Sequence, residues 1–80
     1  MRLDKWLKVS RLIKRRTVAQ EACDGGRVSV NGTAAKPSRE VKPGDIVEIS
    51  FGAKTLRAEI LSVQETVRKD DAAAMYRELV

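Results

Sequence analysis

The 80-residue sequence contains no histidine and a single cysteine, Cys23. Without histidine, the Ser/His and Cys/His pairings of nucleophilic catalysis cannot be assembled. One thiol permits no disulfide within the chain, and the usual Cys/His zinc site lacks its ligands. A lone, unpartnered thiol also suits a reducing compartment. Aromatic residues are nearly as scarce. Trp6, Phe51 and Tyr76 are the whole set, so the core of the single domain that this length supports must be mostly aliphatic. No apolar run approaches the roughly 20 residues that span a bilayer. The first residues, Met1-Arg2-Leu3-Asp4-Lys5-Trp6, lack the apolar stretch of a signal peptide. The expectation is a soluble, cytoplasmic, non-enzymatic chain that needs no metal and no cofactor. Gly25-Gly26 is no phosphate-binding loop, since it precedes a strand pattern and no Lys-Ser/Thr pair follows it.

What is abundant is positive charge, and it is placed unevenly. Residues 1–16 carry seven basic groups against one acid, a net +6, whereas residues 17–80 carry nine against ten, a net −1. Arg2, Lys5, Lys8, Arg11, Lys14, Arg15 and Arg16 therefore hold the entire excess. Such asymmetry calls for a polyanionic partner. The arginines offer planar, permanently charged forks suited to phosphate oxygens. Amides exposed at the start of a following helix would add to the attraction. A membrane partner is disfavoured, because no bulky apolar residues project beside the charges. DNA readout is disfavoured too, because the outward positions of the second helix, Gln20, Glu21 and Asp24, are too acidic for a groove.

Periodicity gives the elements. Leu3, Trp6, Leu7, Leu12 and Ile13 are spaced for the inner side of a helix over about residues 4–9 and a turn over 10–14. Asp4 is placed to cap that helix, and Trp6 to pack in the core between Leu3 and Leu7. Thr17 and Gln20 have capping-box spacing for a second helix with Val18, Ala19, Ala22 and Cys23 inward, ended by Gly25-Gly26. The period then changes to two. Val28 and Val30 lead into Asn31-Gly32, a strong hairpin signal, with residues 33–35 returning. Lys42-Pro43-Gly44-Asp45 predicts a tight turn. Strands follow with Ile46, Val47, Ile49 and Phe51, and then over Leu56 to Val63. Asp70 or Asp71 is expected to cap a terminal helix carrying Ala72, Ala73, Met75, Tyr76 and Leu79, packed back on the sheet.

Five stretches in order, Arg2 to Leu7, Arg15 to Ala19, Gly26 to Gly32, Lys36-Pro37 and Gly44 to Val47, resemble the αL RNA-binding domain first defined in the fourth protein of the small ribosomal subunit. The similarity covers about residues 1–50. It implies an α+β fold: a compact αL RNA-binding domain, two short N-terminal helices packed on a small antiparallel sheet, plus a C-terminal helix. On this basis residues 1–63 form the RNA-binding domain with its small sheet, and residues 64–80 a C-terminal extension. Many members have serine where this chain has Arg15. Because the chain is almost all module, and because of Lys8 to Thr17 and the ending Ala72 to Tyr76, it is most similar among stand-alone members to the RqcP family of bacterial ribosome quality-control factors.

That resemblance implies a monomer that binds stalled large ribosomal subunits, contacting large-subunit rRNA and peptidyl-tRNA together and holding the tRNA in the P site. An alanine-tailing quality-control factor would be its protein partner. The resemblance places most weight on Arg2 and Arg16. Charge selects the wider set Arg2, Lys5, Lys8, Arg11, Lys14, Arg15 and Arg16, to which Lys36 of the Lys36-Pro37 motif is added as an RNA-binding candidate. Two competing readings are a heat-shock-type protein that rescues dissociated large subunits, and an accessory RNA-binding module for an RNA-modifying enzyme. The heat-shock relative carries a longer basic C-terminal extension, whereas residues 64–80 here are net acidic.

Overall fold

In a computed structural model, residues 1–65 and 68–79 are described. Two helices, α1 (Leu3–Val9) and α2 (Arg16–Asp24), precede strands β1 (Val28–Val30), β2 (Thr33–Ala34), β3 (Ile46–Phe51) and β4 (Lys54–Ile60). A 3₁₀ helix, Lys69–Met75, then leads into β5 (Tyr76–Leu79). The strands form one antiparallel sheet in the order β2-β1-β3-β4-β5. The α+β class with two short N-terminal helices is therefore as expected. Among the described residues no helix is long and apolar enough to cross a membrane.

Alternation decides which side of the sheet is buried. Val28 pairs with Ile49, Val30 with Val47, and Val47 in turn with Ala58, all buried on one side. Against them pack Leu3, Trp6 and Leu7 of α1, and Ala19, Ala22 and Cys23 of α2. Small residues on α2 let it approach the sheet closely. Trp6 is wholly buried, donates its indole N–H to the Ser62 carbonyl at 2.9 Å, and meets Tyr76 edge-on with ring centroids 6.4 Å apart. It is a core residue, as its neighbours Leu3 and Leu7 predicted.

The turns obey local chemistry. Asn31 and Gly32 both have positive φ, 53° and 85°, as a two-residue type I′ hairpin requires. Asn31 also clasps the start of β3: its side chain accepts from Ile46 N at 2.9 Å and donates to buried Asp45 at 3.1 Å. Helix α1 stops at Val9, where the Ser10 hydroxyl donates to the Leu7 carbonyl and Arg11 takes up a left-handed φ of 63°.

Several expectations need correction. Asp4 is not the N-cap of α1, although its carboxylate does accept from one first-turn amide, that of Lys5. The helix begins one residue earlier with Arg2 at the cap position, and the amides of Leu3 and Asp4 donate to the Arg39 and Pro37 carbonyls. Thr17 and Gln20 form no capping box, because Arg15 occupies the cap position of α2 and Thr17 already lies in its first turn. Val18, expected inward, is 45% exposed, and Phe51 at the end of β3 is 48% exposed. They rim a shallow apolar groove of about 190 Å³ floored by Ile13, Ala22 and Ile49. The helix expected to run to Leu79 is shorter. Residues 69–75 are helical, with Arg68 rather than an aspartate at the cap position, and Tyr76–Leu79 extend and pair with β4. An open edge of β4 offers those four residues a full ladder of hydrogen bonds, which outweighs the helix propensity of an alanine-rich run.

Candidate nucleic-acid interface

The candidate surface is organised around a buried anion. Asp4, on the first turn of α1, has no exposed side-chain surface. Arg2 grips it bidentately, with Nε donating to Oδ1 and Nη2 to Oδ2, both at 3.2 Å. Arg16, the first residue of α2, donates from Nη2 to Oδ1 at 3.4 Å and places Nε 3.3 Å from Oδ2. That Nε is buried and lacks an aligned hydrogen-bond acceptor, so its contact with the carboxylate is purely ionic. The Gln20 carboxamide, one turn along α2, donates to Oδ2 at 3.0 Å, and the Lys5 amide donates to Oδ1 at 2.8 Å.

Burial alone would raise the Asp4 carboxyl's pKa. The hydrogen bonds from Gln20, Arg16 and the Lys5 amide, together with the Arg16 charge, outweigh it and hold the group below its ordinary value. Asp4 is thus an anion at neutral pH. Both arginines keep a second edge in solvent, their side chains being 50% and 41% exposed for Arg2 and Arg16. A guanidinium has five donors in a fixed fork, so an arginine bound to Asp4 on one edge still presents donors outward.

The other candidates are arranged less tightly. Lys8 lies in the last turn of α1 and is exposed, as are Arg11, Lys14 and Arg15 in the connection to α2. Lys5 is half-buried and paired with Glu65 at 2.9 Å, which pulls the Glu65 carboxyl below its usual value through the Lys5 hydrogen bond and charge. Lys36 is exposed on the loop that seals the start of α1 through the Pro37 and Arg39 carbonyls. The same loop exposes Arg39, which sequence reasoning passed over. Its only signal was a basic residue three positions after Lys36, within a segment whose docking on α1 no local pattern announces.

No side chain caps α2, and no acid lies in its first turn. The amides there are free of competing side-chain acceptors beside Arg15 and Arg16. Cys23 lies buried in the last turn of α2, its thiol pushed up to about 11 by burial and by the charges of Asp4 and Asp24. It is protonated at neutral pH and unsuited to nucleophilic or redox chemistry.

What these groups can do is hold phosphate oxygens. Arg2 and Arg16 meet at Asp4, while Lys8, Arg11, Lys14, Arg15, Lys36 and Arg39 present exposed cations on α1, on its connection to α2 and on the adjoining loop. Comparison with known proteins agrees with that chemistry. Residues 1–47 match the model of the S4 domain. The chain is 58% identical over 95% of its length to the RQC P-site tRNA stabilizing factor of Halalkalibacterium halodurans, covering 86% of that protein. It is 54% identical over 95% of its length to the factor of the same name in Bacillus subtilis, covering 88% of that protein. Among solved structures, the trimeric heat shock protein 15 of Vibrio cholerae superposes with a TM-score of 0.91 at 35% identity, covering 99% of this chain and 81% of that one.

Proposed function

The chain belongs to the RQC P-site tRNA stabilizing factors, a family built on the RNA-binding S4 domain, and from that membership we propose that it binds the large ribosomal subunit and tRNA in ribosome-associated quality control. In this reading it is a non-enzymatic, cytoplasmic factor. It engages stalled large subunits that carry peptidyl-tRNA, steadies the tRNA in the P site and so supports C-terminal alanine tailing by a partner factor. The RNA-facing residues are Arg2, Lys5, Lys8, Arg11, Lys14, Arg15, Arg16 and Lys36.

The observation that carries the proposal is the shared anchorage of Arg2 and Arg16 on one buried carboxylate, with the free edge of each in solvent. Phosphate contacts fix register on a nucleic acid, and two pre-set guanidinium forks supply such contacts. Surrounding lysines supply further charge without geometry.

The reading of a heat-shock-type rescue protein draws support from the Vibrio cholerae likeness. The higher identities to the tRNA-stabilizing factors, 58% against 35%, and the net acidic residues 64–80 weigh against it. The proposal is also for a monomer, against the trimer in that structure's name, and sedimentation at micromolar concentration separates the two.

A tagged pull-down from bacterial cells, with bound RNA sequenced and bound proteins identified, tests the function. Large-subunit rRNA recovered together with tRNA, alanine tRNA above all, supports it. Large subunits recovered without tRNA favour the heat-shock reading, and an RNA-modifying enzyme without ribosomes favours the accessory-module reading. Small-subunit RNA, DNA or no nucleic acid overturns the ribosomal role.

A further inference from the structure

A surface meant only to attract a polyanion has no use for an acid at its centre, yet Asp4 sits there. It is the one acidic residue among the first 16 and is completely buried. Its charge subtracts from the potential that draws in phosphate, and a buried carboxylate is costly unless it is paired and hydrogen-bonded. The amides of Leu3 and Asp4 that open α1 are already satisfied by the Arg39 and Pro37 carbonyls, and the Lys5 amide takes only one of the carboxylate's acceptor sites, so helix capping accounts for only a small part of it. What does consume its acceptor capacity is Arg2, Arg16 and Gln20, together with the neighbouring Lys5 amide.

We infer that Asp4 is a positioning residue for RNA recognition: it fixes the Arg2 and Arg16 guanidinium groups in one relative arrangement, while Gln20 fixes the carboxylate. The inference rests on the reading of this surface as an RNA interface. Arg2 leaves the chain just before α1, and Arg16 starts α2. Without a common anchor these long side chains sample separate rotamers, and ordering both falls on the binding step. Anchored on one carboxylate, their free edges keep a fixed spacing set by the packing of α1 on α2. Gln20 is a neutral donor, so it holds Oδ2 without adding charge that would compete for phosphate. The carboxylate also limits which forks fit. A lysine at either position keeps the charge but cannot occupy Asp4 with one edge and face solvent with another.

The discriminating feature is a sign. Asp4→Asn keeps the shape of the side chain and raises the net charge from +5 to +6. Long-range electrostatics predicts tighter RNA binding by that variant, whereas loss of positioning predicts weaker binding. Gln20→Ala changes no charge and removes one of the contacts that hold the carboxylate.

Affinity for purified bacterial large ribosomal subunits carrying tRNA is measured at fixed salt and well below the melting temperature. Wild type, Asp4→Asn, Gln20→Ala, Arg2→Ala and Arg16→Ala are compared, each checked for its folded fraction by circular dichroism. Positioning predicts binding about tenfold weaker for Asp4→Asn, equivalent to one strong hydrogen bond. It also predicts a smaller loss for Gln20→Ala, and a salt slope shallower by about one phosphate contact for Asp4→Asn. If Asp4→Asn is not fully folded, Gln20→Ala decides the matter. Arginine variants that lose affinity while Asp4→Asn and Gln20→Ala bind as tightly as wild type, or more tightly, overturn the positioning role and leave the interface standing. Arginine variants that bind like wild type overturn the interface itself.

Discussion

Gln20 on α2 donates to Asp4 on α1 at 3.0 Å, so a neutral side chain closes the ring of donors around an anion that two arginines share. The sequence pattern gives Gln20 a different task, as the fourth residue of a capping box opened by Thr17. In the folded chain a buried carboxylate is a stronger acceptor than water or a frayed helix end offers, and Gln20 turns inward to it.

Acid should loosen the protein through Asp4. The unfolded group titrates near 3.8, and the folded group lies lower because the Gln20 and Arg16 hydrogen bonds overcome burial. A depressed carboxyl favours the native state while ionised. The stabilisation is full above about pH 5 and is lost as pH falls through the folded value. Urea unfolding between about pH 2.5 and 6 checks this. The stability gap between wild type and Asp4→Asn should narrow on acidification, and a constant gap would show that the carboxylate's charge is not what stabilises.

Trp6 is the largest of the fully buried side chains. Trp6→Ala should lose about 3–5 kcal/mol, a large share of the roughly 5–15 kcal/mol that holds a typical domain together. Trp6→Phe keeps most of the apolar contact but leaves the Ser62 carbonyl without its indole donor, for a loss of about 1–3 kcal/mol. Thermal or urea melts of the two variants give the comparison, and a Trp6→Phe variant as stable as wild type would mean that the hydrogen bond contributes nothing.

Arg11 should show stability and binding moving in opposite directions. Its φ of 63° is a conformation that glycine adopts freely. Relief of about 1–2 kcal/mol of left-handed strain, offset by about 0.5–1 kcal/mol of added chain entropy, leaves Arg11→Gly between neutral and about 1.5 kcal/mol more stable. The same change removes an exposed cation from the candidate interface, so affinity for large subunits should fall. Unchanged affinity would place Arg11 outside the interface.

Salt dependence counts the contacts. Each phosphate neutralised contributes about −0.7 to −0.9 to the slope of log affinity against log salt, so roughly four contacts give a slope of about −3. Titrating labelled tRNA or rRNA fragments against potassium chloride measures it. A flat response would rule out the basic cluster as the main contact.

Much of this architecture can be read from local signals. Asn31-Gly32 demands its hairpin, Gly25-Gly26 ends α2, and the short first helix with its following turn comes from the spacing of Leu3, Trp6, Leu7, Leu12 and Ile13. The charge count alone isolates residues 1–16. What escapes is tertiary. Asp4 looks like a cap because aspartate before a helical pattern usually is one, and only the packing of α2 on α1 brings Arg16 and Gln20 to it. Ala72 to Leu79 carry a helical composition, and only the open edge of β4 makes strand the better outcome for Tyr76–Leu79. Arg39 is invisible for the same reason, since its loop matters through its docking on α1.

The sheet has two rims, and neither offers an easy template for misassembly. At one side β2 is only two residues long, Thr33–Ala34, too short to recruit a further strand from a neighbouring molecule. At the other, β5 carries exposed Arg77 and Glu78 at its centre, and charged residues on an outer strand discourage edge-to-edge pairing. A basic protein crowded along a polyanion is concentrated far above its average in solution. Blunted rims would keep such crowding from leading to edge-to-edge assembly.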